Sequence, residues 1–138
     1  MNPATRAALL RSLAPIALMG LIFFLSAQPS GGVHPWWEIV GRKLGHVTGY
    51  ALLTALWAWA LRGVVRRPLL WAIAISLAYA CSDEYHQTFV RGRTGTPVDV
   101  GVDAIGMAIA AWLITQRTAK IRARKDPAVL RSNPARSP

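Results

Sequence analysis

The sequence predicts an all-α protein, a four-helix transmembrane bundle with both termini cytoplasmic. Three observations lead there. Hydrophobic residues make up 53 % of the 138 residues and charged residues 16 %, and mean hydropathy is positive, a balance that soluble domains of this length rarely carry. The apolar residues gather into four runs separated by short polar stretches. The net charge of +10 lies between those runs and in the tail, which suits a membrane surface and topology control and argues against nucleic acid as a partner.

The first run, Ser12–Ala27, extends back through Ala7–Leu10 and has Arg6 and Arg11 near its start. Its length favours a retained span over a cleaved leader, and Leu25-Ser26-Ala27 is a poor cleavage site. The second run is Leu44–Leu61, the third begins at Pro68 and reaches Cys81, and the fourth covers Val98–Thr115. A span needs ~20 residues at ~1.5 Å each to cross ~30 Å of hydrocarbon. The third and fourth runs reach that length only with their polar ends included. Asp83, Glu84 and His86 therefore ride on the last turns of the third helix, and Asp99 and Asp103 on the first turns of the fourth. One cysteine, Cys81, excludes an intrachain disulfide.

Basic residues set the orientation. Arg6, Arg11, Arg62, Arg66, Arg67 and seven more from Arg117 to Arg136 make twelve on one side, against Arg42, Lys43, Arg91 and Arg93 on the other. The richer side is cytoplasmic by the positive-inside rule. The protein is thus expected in the cytoplasmic membrane as a multi-pass chain. Residues 1–116 form its transmembrane domain. Residues 117–138 form a basic tail, largely disordered beyond a brief continuation of the fourth helix over Thr118–Lys125, that rests on anionic lipid of the bilayer.

The ionisable residues concentrate at the outer end. Lys43, His46 and Tyr50 share a helical stripe, as do Asp99, Asp103 and Gly106, while Asp83, His86 and Gln87 share a face with Glu84 ~100° around. Three helices thereby contribute to one layer within ~8 Å of the outer boundary. Some members have plain explanations. Thr96, Pro97 and Asp99 make a capping box, with Asp99 at N3. Arg42, Lys43, Arg91 and Arg93 can snorkel to headgroups, and Trp57, Trp59, Trp71 and Trp112 read as packing or interface residues. Gly45 and Gly49 form a GxxxG, and Gly106 with Ala110 a small-xxx-small pair; both suggest close helix contact. Glu84 and Asp103 have no capping role, and acids at membrane depth pair, relay protons or bind something. Arg91 and Arg93 are placed to neutralise two of the four acids, with Gly92 and Gly95 letting the loop fold back.

That layer offers Glu84, His46 and Asp103 as catalytic candidates, Glu84 and His46 as an acid–base pair. Lys43 and Arg93 would hold an anionic headgroup, and Tyr50, Asp83, Gln87 and Asp99 are further binding candidates. No serine or threonine sits in a glycine-flanked elbow. His46, Asp83, Glu84, Asp99 and Asp103 are ligand types, but no HExxH-like spacing gathers them, and neither a metal nor a cofactor is expected.

The pattern Leu25-Ser26 with Pro29, then Lys43, His46 and Tyr50, then Asp83-Glu84-x-x-Gln87-x-Phe89 with Gly92-Arg93, Asp99 and Gly106 resembles the VanZ-like family of small bacterial membrane proteins. The likeness runs over roughly Leu21–Trp112. Arg91 stands where proline is common in that pattern, and His86 is outside it. The resemblance implies a polytopic cell-envelope protein and no established reaction; its founding member is linked to low-level teicoplanin-type glycopeptide resistance. An enzyme on an envelope lipid, cell-wall precursor or lipoglycopeptide, a module that binds one, and a structural network all fit the residues. Proton transport fits poorly, because the inner halves of the helices offer only Thr54, Ser76 and Thr115. Oligomeric state is not readable.

The charge bias gives a test of orientation. In a Cys81→Ser background, a cysteine at Gly32 is expected to react with an impermeant maleimide in intact cells, and one at Ser132 only after permeabilisation. The opposite labelling pattern would invert the topology.

Overall fold

A proline stands at the start of every helix in the computed structural model, which describes residues 2–31 and 35–125. Pro3 opens α1 (Pro3–Ser26), Pro35 caps α2 (Trp36–Ala60), Pro68 opens α3 (Pro68–Gln87) and Pro97 opens α4 (Pro97–Lys125). Proline fits there because its fixed φ suits the first turn and its missing N–H has no intrahelical partner to lose. No strand occurs among the described residues.

One boundary differs from the sequence expectation. α2 begins at Trp36, well ahead of Leu44. Glu38, Arg42 and Lys43 lower the hydropathy of that segment, but they are adequate helix formers and Glu38 sits favourably in the first turn. α4 runs on through Arg117 to Lys125, the helical continuation over Thr118–Lys125 that the sequence suggests for the start of the tail. Ala, Lys and Arg there favour helix, and Arg122, Arg124 and Lys125 in the last turn oppose the dipole. Gly32, His34 and residues 126–138, with the remainder of the expected tail, lie outside the described residues.

The ends of the helices show how the chain is laid out. Ser26 at the end of α1 reaches Asp83 near the end of α3, and Lys43 near the start of α2 reaches Asp99 at the start of α4. The backbone of Ser30, after α1, donates to the carbonyl of Arg91, after α3, at 3.0 Å. One end of the bundle therefore collects the C-termini of α1 and α3 and the N-termini of α2 and α4, and the chain runs up, down, up and down. At the other end Arg11 of α1 lies over the Trp59 ring of α2, 5.4 Å from its centroid. α2 packs against all three other helices and most extensively against α4, while α1 barely touches α3.

The distribution of side chains is inverted relative to a soluble domain. The buried set is mostly small or polar, with Tyr50, Leu53 and Met107 as its large members: Ala58, Ala60, Ala72, Ala80 and Ala110 with Ser26, Thr54, Ser76, Asp83, Glu84, Gln87 and Asp103. Large apolar residues point outward, among them Leu13, Phe24, Leu44, Leu70, Trp71 and Trp112. Water would penalise that arrangement, whereas small residues between helices and bulky ones outside are how helices pack in lipid. α1 over Thr5–Ser26 and α4 over Pro97–Lys125 are long and apolar enough to cross a membrane. A compact centre of Tyr50, Leu53, Ala80 and Met107 is flanked by Leu18, Met19 and Ile22 of α1.

Gly106 sets the approach of α4 to α2. A Cβ there would overlap the carbonyl of Val47 and crowd the amide of Ala51. Of the GxxxG pair, Gly49 meets Ile22 of α1 at 3.7 Å and Gly45 faces open space, so only half of that motif serves close packing. At Gly101, also in α4, an added methyl would have nothing within 4 Å. The same substitution should thus act oppositely at two sites. Gly106→Ala is expected to lose ~1–3 kcal/mol through overpacking, and Gly101→Ala to gain up to ~1 kcal/mol from helix propensity. Unfolding of both variants in detergent checks this; equal effects would mean that α4 does not touch α2 at Gly106.

Candidate functional site

The polar layer is assembled from the four helix ends. Asp83 and Glu84 are consecutive on α3 and both buried, at 2 % and 5 % exposure. Helical spacing places Gln87 one turn on, and its amide donates to both acids, at 3.1 Å to Asp83 Oδ2 and 3.2 Å to Glu84 Oε1. The Ser26 hydroxyl takes the second oxygen of Asp83. The backbone N–H of Thr96 takes the second oxygen of Glu84 at 3.1 Å. Thr96 can reach it because Gly95 lets the loop cross the end of α3, where a Cβ would overlap the Glu84 carbonyl.

His46 and Asp103 face one another between α2 and α4, with Nδ1 to Oδ1 at 2.9 Å; Asp103 is fully buried and His46 about one-fifth exposed. The bond fixes the ring and directs Nε2 away from Asp103. Ligand atoms of His46, Asp83 and Glu84 lie within 4.8 Å of one another. Beneath them Tyr50 is fully buried, stacked on His46 with centroids 6.2 Å apart. The hydroxyl of Tyr50 and Oδ2 of Asp103 are buried with no hydrogen-bond partner among the described residues.

The cations take positions that the sequence does not indicate. The sequence sets Arg91 and Arg93 beside the acids as neutralising partners, yet neither forms an ion pair with Asp83, Glu84, Asp99 or Asp103 among the described residues. Arg93 instead donates to the carbonyls of Gln28 at 3.0 Å and Leu25 at 3.1 Å and to Gln87 Oε1 at 3.5 Å. The carbonyls of Leu25 and Gln28, at and just beyond the C-terminal end of α1, are better matched to a guanidinium fork than a carboxylate already served by amide donors. Partial burial and the neighbouring Arg42 pull the Arg93 guanidinium below its ordinary value. Lys43 pairs with Asp99 at 2.9 Å on the rim, with both side chains partly exposed.

A cavity of about 320 Å³ opens over this layer, lined by Arg42, Lys43 and Arg93 on its rim and His46, Glu84, Gln87 and Asp99 within. A second, of about 330 Å³, lies between α1 and α2 against Ile22, Leu25, Gly49 and Tyr50. The two share Arg42, His46 and Arg93. Of the candidates named from sequence, Lys43, His46, Glu84, Gln87, Arg93 and Asp99 line the polar cavity, while Asp83, Asp103 and Tyr50 support it from behind. His86 turns aside to Phe23 of α1, with ring centroids 4.5 Å apart. Sequence reasoning gives no role to Ser26, whose helical position beside the layer is invisible without the fold, and reads Arg42 only as a snorkelling residue. In chemical terms the site is an anionic, donor-clamped floor under a cationic rim.

A bundle with small and polar residues inside, large apolar residues outside, two membrane-length helices and a buried acidic layer at one end belongs to the class of helical membrane proteins with a polar site. A family model described as VanZ/LLP1 matches residues 12–119, and the chain belongs to that family. No curated protein and no solved structure matches it.

Asp99 completes its capping box, accepting from the Thr96 hydroxyl at 2.7 Å while its own N–H donates to that oxygen at 3.3 Å. Asp99→Ala is therefore expected to cost ~1 kcal/mol as a lost cap, and Lys43→Ala well under that, since an exposed pair contributes little. Thermal unfolding separates the two; equal losses would show that Asp99 acts through Lys43.

Proposed function

We propose that this VanZ/LLP1-family chain crosses the cytoplasmic membrane four times, with both termini inside, and receives an anionic headgroup in the polar cavity at the outer leaflet. The ligand class is an envelope lipid, a lipid-linked cell-wall precursor or a lipoglycopeptide. The observation that carries this reading is the seam between the two cavities, which share Arg42, His46 and Arg93. An amphiphile laid across it sets its charge against two guanidinium groups and its acyl chain against Ile22, Leu25 and Gly49. Guanidinium groups suit phosphate and carboxylate oxygens.

Four spans are supported by length. α2 with 25 residues and α3 with 20 extend ~37 and ~30 Å at ~1.5 Å per residue. Their polar ends, Glu38 to His46 and Ser82 to Gln87, lower their hydropathy without shortening them. Ten basic residues among the described ones, at the end opposite the cavity, support its outward direction. The basic end of α4 suits anionic lipid of the inner leaflet.

A second reading, a membrane-embedded acid–base hydrolase or transferase, is favoured by one observation. His46 lines the cavity beside Glu84 while Asp103 holds its ring, the arrangement of an oriented general base. A role in teicoplanin-type resistance would rest on the same seam receiving a lipoglycopeptide.

Native mass spectrometry of the full chain, released from nanodiscs of phosphatidylglycerol and phosphatidylcholine, tests the binding reading. Wild type is expected to retain the anionic lipid, and the Arg42→Gln/Lys43→Gln double variant to retain at least ~10-fold less, the equivalent of ~1.4 kcal/mol. Retention of both lipids alike would overturn it. Lipid and precursor profiling of a deletion strain complemented with Glu84→Gln distinguishes the enzyme, which would leave a substrate accumulated. Equal loss of abundance in Glu84→Gln, His46→Asn and Asp99→Ala would make the layer a packing network.

A further inference from the structure

Three buried carboxylates, Asp83, Glu84 and Asp103, share one end of the bundle. Among the described residues no lysine or arginine forms an ion pair with any of them, and His46 is the only basic side chain bonded to one. Burying that much like charge without a counter-charge is strongly unfavourable. Protons can supply the balance, and so can a cation.

The geometry points to a cation: we propose that His46, Asp83 and Glu84 bind a divalent metal ion, with Asp103 orienting the histidine from behind. Their ligand atoms lie within 4.8 Å of one another. Tetrahedral ligands ~2.1 Å from a common ion are ~3.4 Å apart, so side-chain rotations that move the donor atoms inward by about an ångström close the set. The surrounding hydrogen bonds have the form that ligating residues need. Asp103 holds Nδ1 of His46, leaving Nε2 for the ion, a carboxylate–histidine–metal relay. Gln87 and Ser26 brace Asp83, and Gln87 and the Thr96 N–H brace Glu84. Each braced oxygen keeps a further lone pair.

A second observation stands apart from the cluster. Asp103 is fully buried with Oδ2 unpartnered, and the equally buried Tyr50 hydroxyl next to His46 is unpartnered too. Buried polar atoms normally find partners. An ion with its attendant water would complete the missing contacts. One imidazole and two carboxylates suit Zn²⁺ or Mn²⁺ better than the all-oxygen preference of Mg²⁺ and Ca²⁺. Because His46 and Glu84 line the polar cavity and Asp83 does not, the ion's open positions face that cavity. The site does not depend on what headgroup, if any, the cavity receives.

The test uses the full chain in detergent, stripped with chelator and titrated calorimetrically with Zn²⁺ and Mn²⁺, with Co²⁺ as a visible-absorption probe. One ion per chain is expected, with Co²⁺ bands that report a mixed nitrogen and oxygen set. Glu84→Gln and Asp83→Asn are each expected to weaken binding by more than ~100-fold, and Asp103→Asn by ~10–100-fold through the loosened ring. Circular dichroism and gel filtration establish that each variant is folded. If the α3 variants do not fold, His46→Gln, at the partly exposed position, carries the same expectation of lost binding. Wild type that binds no stoichiometric ion would overturn the proposal and leave shared protons as the counter-charge. Binding undiminished by these substitutions would overturn it equally, because the ion would then lie elsewhere.

Discussion

The amide of Gln87 donates to Asp83 and to Glu84, and much of the molecule is arranged around that double contact. Adjacent acids on a helix diverge by ~100°, so two of them cannot be buried against the same neighbour. One must meet α1 and the other the loop before α4. Asp83 does the first through Ser26 and Glu84 the second through the Thr96 N–H. Gln87, one turn further on, spans the angle between them. The ends of α1 and α4 are consequently drawn to the end of α3 by hydrogen bonds to charged groups, which are stronger than neutral ones. α2 closes the remaining side with His46 on Asp103.

The apolar part of the bundle is built to permit this. Ala, Ser and Gly at the contacts bring the backbones close, as Gly106 does against Val47. Close backbones exclude water from the layer, and a drier layer strengthens each of its hydrogen bonds. The bulky residues on the outside add little to helix–helix contact, and their place is explained by a hydrocarbon surrounding.

Much of this is legible without the fold. The four runs, the antiparallel order and the capping box at Thr96–Asp99 follow from hydropathy and helix-start chemistry, which are local properties. The convergence of His46, Glu84 and Asp103 follows from helical spacing and common depth. What escapes is the partner choice of long side chains. Arg93 can reach an acid or a carbonyl from the same loop, and only the position of α1 decides between them. The start of α2 escapes for another reason: hydropathy marks where a helix is greasy, whereas Trp36 to Lys43 is helical for its propensity and its proline cap.

The guanidinium of Arg93 finishes the C-terminal end of α1 across 68 residues of sequence, at the Leu25 carbonyl. During synthesis the chain emerges from its N-terminus, so α1 leaves the ribosome long before its closing group exists. Until the loop after α3 arrives, the Leu25 carbonyl has only the long contact from the Gln28 N–H, at 3.4 Å, and the Gln28 carbonyl lacks its guanidinium. The polar layer is therefore a late product of biogenesis. Ser26 and Gln87 can meet the two acids as soon as α3 exists, the loop that follows brings Arg93 to α1 and Thr96 to Glu84, and His46 gains Asp103 only with α4.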